Sequence, residues 1–190
     1  MSKSSPLKTR MIALAAVAGL TGAVSLAVST ANSQMAPFGG DEDVAYSKQL
    51  WSALVDAKLV GDGAIKTKPY EGAEPHGFVL ETLYGEVSVG GHTGTVIVKR
   101  NYGPEGLTPE QVADDAGKKP AALTVMFFRE AGYDEDNKNI FWVKYLNDGS
   151  LDKNPKGMML AGKVAKGADA GCIACHSGAD GGDYEFLRNM

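Results

Sequence analysis

Only two cysteines occur in this 190-residue chain, and they stand close to its C-terminus in Cys172-Ile173-Ala174-Cys175-His176. Two thiols separated by two residues can each add to a vinyl group of one haem, and a histidine directly after them then reaches the iron. The spacing therefore reads as c-type haem attachment. It constrains the fold more than any other feature, because the chain has to build room for a porphyrin beside its own tail. Two other chemistries use the same residue types. A redox CxxC belongs near a βαβ pattern, and a structural zinc wants four ligands, for which only His76 and His92 remain to join the two cysteines.

The other end of the chain carries an export pattern. Lys3, Lys8 and Arg10 precede an uncharged stretch, residues 11–28, and Ser29-Thr30-Ala31 followed by Asn32-Ser33 offers small residues for cleavage. A secretory signal is expected over residues 1–33, cleaved near 31–33, with an uncleaved membrane anchor as the alternative, since 18 residues is the lower limit for a span. Export suits covalent haem attachment, and in a bacterium the compartment is the periplasm. Removing residues 1–33 removes three cations and no acid, which takes the formal charge from -4 to -7. An acidic exported domain is a poor partner for nucleic acid or anionic lipid. The remainder is long enough for one domain with a core and too short for two. Residues 34–41 read as a flexible leader and 42–190 as a single haem c domain.

Within that domain the order of elements can be read from local signals. Asp41-Glu42-Asp43 opens a helix expected over residues 42–58, with Gly61-Asp62-Gly63 as its stop. Residues 69–77 form a loop ending in Pro75-His76-Gly77. Two β-prone runs, 78–89 and 95–102, flank the glycine-rich Gly90-Gly91-His92-Thr93-Gly94 and read as a hairpin. In the second run Thr95, Ile97, Lys99 and Asn101 share one face, and Val96, Val98, Arg100 and Tyr102 the other; alternation alone does not say which is buried. Thr108-Pro109-Glu110-Gln111 has the hydroxyl cap, proline and glutamine of a helix start. Strands follow over 123–129 and 140–146, joined by the polar turn 134–139, and the haem motif itself needs a helical turn to aim His176. The expected class is α+β, an antiparallel β-sheet with flanking helices and a C-terminal c-type haem attachment motif. That excludes a helical-bundle cytochrome, which demands four long amphipathic helices.

Several short motifs, in their order, carry a resemblance. They are Pro75-His76-Gly77, Gly94-Thr95-Val96-Ile97-Val98-Lys99 with Asn101-Tyr102, and Thr124-Val125-Met126. Further on come Gly132-Tyr133-Asp134, Phe141-Trp142-Val143-Lys144-Tyr145 ahead of Asp148-Gly149, Ala161-Gly162-Lys163-Val164, the haem motif, and Asp183-Tyr184 with Phe186. Through most of the mature chain this resembles the cytochrome P-460 family and its relatives, the β-sheet cytochromes c′. The resemblance implies one covalent haem c with histidine on the proximal side of a five-coordinate iron, and a homodimer. It also implies oxidation of hydroxylamine or nitric oxide, with electrons passed to a redox partner cytochrome.

The same resemblance implies a lysine cross-linked to the haem ring, and the position it falls on is Lys99. A solvated strand lysine is the other reading of that residue. The family's distal carboxylate, expected shortly before the haem motif, is not matched: Gly167-Ala168 stand there with Asp169 nearby. Two rival functions stay open. One is a nitric oxide or carbon monoxide binder with an apolar pocket capped by Phe78, Phe127, Phe128 or Phe141. The other is an electron carrier with a sixth ligand from His76, His92, Met126, Met158 or Met159. Arg100, Arg129 and Lys144 are candidates to neutralise haem propionates.

Overall fold

A computed structural model describes Met1 and residues 37–186 of the chain; apart from Met1, the expected signal over residues 1–33 lies outside the described residues. Of the expected leader, Phe38 is buried and the Gly39 N–H donates to the Ala161 carbonyl at 2.8 Å, so packing begins before residue 41.

Helix α1 runs over Asp41–Asp56, with three acids in its first turn facing the positive end of the helix dipole. It ends earlier than the Gly61-Asp62-Gly63 signal suggests. Leu59 N–H reaches back to Leu54 O and Lys58 N–H to Val55 O, with Lys58 in the left-handed region at φ 56°. That is a Schellman termination, and it turns the chain so that Leu59 and Val60 are buried together with Leu54.

Six strands follow in chain order and pair in chain order, all antiparallel: β1 (Tyr70–Glu71), β2 (Val79–Val89), β3 (His92–Tyr102), β4 (Ala122–Phe128), β5 (Ile140–Leu146) and β6 (Ala161–Gly162). The expected α+β class and hairpin meander are present. The β2–β3 turn is tighter than expected: Gly90 and Gly91, at φ 60° and 85°, make the whole connection, and His92 already pairs with Val89. Both positions need a positive φ, which glycine alone adopts without cost. Helix α2 (Pro109–Asp114) begins at the expected capping box of Thr108 and Gln111.

The sheet has two different faces. Val96, Val98, Val125, Phe127, Phe141, Val143 and Tyr145 pack with Leu50 and Leu54 of α1. Each large apolar side chain taken from water there contributes about 1.5–3 kcal/mol. Ile97, Met126 and Trp142, one position out of phase, point the other way and pack with Ile173 of a short helix, α3 (Cys172–His176). Among the described residues no helix is long and apolar enough to cross a membrane.

Candidate functional site

The second face of the sheet floors a cavity of about 690 Å³. Ile97, Lys99, Thr124, Met126 and Trp142 line it from the strands, Thr82 and Tyr84 from β2, and His76 from the loop before β2. Cys172 and His176 close one side from α3, with Glu185 and Phe186 beyond them. The alternation of β3 therefore resolves in favour of Ile97 and Lys99 facing this cavity, while Val96 and Val98 face α1.

Helix α3 is held against the sheet by Ile173, and it can start where it does because residue 171 is glycine. Gly171 sits at φ 128°, and a Cβ there would stand 2.3 Å from the Ala165 Cβ. The helix puts both cysteines and the histidine into little more than one turn. Neither cysteine is in a disulfide; Cys172 is partly buried on the cavity wall and Cys175 is exposed. Burial pushes the Cys172 thiol up to about 11.

His176 is buried, with ring centroids 4.9 Å from Trp142 and 5.3 Å from Phe186. Its Nδ1 lies 2.6 Å from the Tyr184 carbonyl oxygen. A carbonyl only accepts, so Nδ1 carries the proton and donates, which leaves Nε2 with a free lone pair. His76 is arranged in a similar way: its Nδ1 is 3.2 Å from Thr124 Oγ1, and its ring centroid is 5.9 Å from that of His176 at an interplanar angle of 84°. Burial, more than the neighbouring charges of Lys99, His176 and Lys144, lowers the His76 pKa to about 4, so the ring is neutral at pH 7.

Lys99 is largely withdrawn from water, and burial holds its ammonium below the ordinary lysine value, with Glu185 acting in the opposite sense. Glu185 itself has its carboxyl raised, first by burial and then by Asp183, while Tyr84 and Lys99 act to lower it. The Tyr84 hydroxyl lies 3.4 Å from Glu185 Oε2. Glu185 and Tyr84 are not among the candidates the sequence offers, since the expected carboxylate lies before Cys172; Asp169 is exposed and does not line the cavity. The signal for Glu185 was the acid-aromatic alternation of Asp183-Tyr184-Glu185-Phe186 after the motif.

Several sequence expectations are corrected by placement. Phe127 and Phe141 are buried on the α1 face, Phe78 is on the surface, and Phe128 packs at the margin of the α3 cluster; the phenylalanine lining the cavity is Phe186. Arg100 cannot reach the cavity, because its face of β3 points at α1, where it pairs with Glu81 at 3.2 Å. Arg129 stacks on the rings of Tyr46 and Tyr133. Lys144 stays on the Trp142 face of β5, where it pairs with Asp152 at 2.8 Å and its charge acts on His76 and Cys172. His92 bonds the Phe128 carbonyl beside Phe127, so the two cysteines, His76 and His92 do not assemble into a four-ligand zinc site. Among the described residues no three His, Cys, Asp or Glu side chains converge on a point where an ion would sit. Among the described residues every strand pair is antiparallel, so the βαβ setting of a redox CxxC is missing there as well.

Comparison with family models, curated proteins and solved structures finds no match to this chain.

Proposed function

We propose that the chain is an exported mono-haem c protein of the cytochrome P-460 type, which oxidises hydroxylamine or nitric oxide in the cavity beside α3. Cys172 and Cys175 are its thioether anchors and His176 its proximal ligand. The observation that carries this reading is the His176 imidazole, buried at the cavity wall with Nδ1 donating to a backbone carbonyl and Nε2 left free. A metal-bound histidine characteristically has its other ring nitrogen tied in this way. The residues present fit the group: a cavity of about 690 Å³ falls within the usual size of a cofactor site, and a cysteine thiol and apolar side chains are on its wall.

Bound there, a haem supplies an iron that takes small nitrogen ligands and accepts electrons from them. The chain's own residues do the rest. Trp142, buried with its ring 4.9 Å from that of His176, excludes water from that side of the imidazole. Glu185, its carboxyl raised by burial, is suited to take a proton from a ligand at Oε1, the oxygen left free by the Tyr84 hydroxyl that donates to Oε2. Lys99, half-buried and lining the cavity, is suited to the cross-link that the resemblance implies. The rival reading, a gas binder with a purely apolar pocket, is less well supported because Lys99, Glu185, Tyr84 and His76 all line the cavity. A periplasmic location, a redox partner cytochrome and a homodimer belong to the same proposal.

Expression in a host competent for cytochrome c maturation tests it. The peptide containing Cys172 and Cys175 is expected to carry one haem and resist alkylation, and the protein to reduce an electron acceptor when given hydroxylamine. Colourless protein with both thiols free to alkylate overturns the reading. A Lys99 peptide travelling with the haem peptide, together with a ferrous band shifted far to the red, reports the cross-link.

A further inference from the structure

We infer that His76 is the second axial ligand of the iron that His176 holds, so that a small molecule has to displace it to react. The inference rests on the haem c reading above and alters the coordination that reading starts from. Both imidazoles line the same cavity, and in both Nδ1 is engaged, by the Tyr184 carbonyl in one and by Thr124 Oγ1 in the other. The Tyr184 carbonyl makes Nδ1 of His176 the donor, and in the tautomer in which His76 donates to Thr124 Oγ1 in the same way each ring has Nε2 to offer.

The separation decides what the pair can do. Two imidazole–metal bonds of about 2 Å, with about 1 Å from each nitrogen to its ring centre, put centroids about 6 Å apart across one metal. The observed distance is 5.9 Å. A distal imidazole that only hydrogen-bonds an iron-bound ligand has to stand further off by about the length of that bond, roughly 3 Å. At the observed spacing there is no room for a ligand between His76 and the metal, whereas direct coordination closes the distance. The interplanar angle of 84° is compatible with coordination, since rotation of either ring about its metal bond is free of steric demand from the other. His76 is also well suited to leave: it sits in a loop between β1 and β2, and its one side-chain hydrogen bond, to Thr124, is 3.2 Å long.

The haem-loaded full protein provides the test. Ferric wild-type protein is expected to be low-spin, His76→Ala high-spin, and added imidazole to restore the low-spin spectrum to His76→Ala. Lys99→Leu and Met126→Leu, which remove two other donors that line the cavity, are expected to stay low-spin. Carbon monoxide binding to ferrous wild type should reach a plateau rate as the gas concentration rises, set by His76 release. In His76→Ala it should stay proportional to concentration, with apparent affinity raised by about tenfold or more, the factor recovered when a competent form holding a tenth of the population becomes all of it. If His76→Ala fails to mature, His76→Met serves instead, with a sulfur–iron charge-transfer band as the expected signature. A high-spin wild type, an unchanged His76→Ala spectrum, or loss of the low-spin form in Lys99→Leu overturns the inference. Protein with no covalent haem overturns the haem reading beneath it, a different and separately visible result.

Discussion

Glu81 and Arg100 are opposite each other on β2 and β3, both almost fully buried, on the face that packs against α1. Both carboxylate oxygens of Glu81 and both terminal nitrogens of the Arg100 guanidinium are engaged. Glu81 accepts from Arg100, from the Tyr102 hydroxyl at 2.5 Å and from the Thr67 N–H, and Arg100 also donates to the Leu59 carbonyl. Removing one partner strands the other charge in the core, so Arg100→Ala is expected to cost about 3–5 kcal/mol in urea unfolding. Glu81→Leu with Arg100→Met together should cost much less, because nothing charged is left behind. Alternation put Arg100 on a face but said nothing of which face was buried or that Glu81 faced it; a partner across strands 19 residues apart leaves no local mark. His76 offers a second test at this scale, in a haem-free Cys172→Ala/Cys175→Ala chain. Its folded pKa, about 4, is below the ordinary 6.5, so between those values the unfolded chain binds more protons. Stability should therefore rise as pH goes from 4 to 6.5, and His76→Phe should remove that portion of the rise. Parallel unfolding curves for the two chains across this window would mean the ring is not buried in its neutral form.

Local chemistry decides most of the elements, and these were the legible ones. The Thr108 box starts α2 because one side chain and one backbone N–H each find a partner within three residues, and the Gly90-Gly91 turn closes the hairpin because no other residue pair is as free at positive φ. Where an element depends on distant packing, the sequence is silent. Strands β1 and β6, two residues each, exist only because β2 and β5 hold them, and the stop of α1 comes from burial of Leu59 and Val60 rather than from the glycines after it. That stop leaves a lysine in the left-handed region. Lys58→Gly is expected to stabilise by roughly 0.5–1 kcal/mol, the left-handed cost of about 1–2 kcal/mol less the added entropy of glycine in the unfolded chain. Gly91→Val should go the other way by about 1–2 kcal/mol or more, although a Cβ there would meet nothing within 4 Å, because the cost is in the backbone alone. Equal thermal midpoints for Gly91→Val and wild type would contradict that account.

The molecule as a whole divides its labour between the two faces of one sheet. The α1 face carries a continuous apolar core that includes Leu50, Leu54, Val98, Phe127 and Tyr145, each fully buried, and needs nothing from outside the chain. On the other face α3 and residues 177–186 border a cavity, and a smaller cluster around Trp142 and Ile173 holds them. The sheet's strands are tied by long ladders, whereas the tail is tied to the rest by single side-chain bonds such as that from the Tyr184 hydroxyl to Asn137 Oδ1 at 3.2 Å. A haem bound at Cys172 and Cys175 would fill the cavity and join the tail to the sheet through its own surface. Stability should therefore be graded across the chain, with the tail the first part to open. In the Cys172→Ala/Cys175→Ala chain, amide exchange is expected to stay slow through β2–β5 and α1, and to be fast by at least about a hundredfold over residues 163–186, a difference of some 3 kcal/mol in opening free energy at 1.4 kcal/mol per tenfold. In the haem-loaded protein, protection of residues 163–186 should rise towards that of the strands. If the haem-free chain instead exchanges everywhere at one rate, the α1 face does not stand alone, and the cavity has to be counted as part of what folds the sheet.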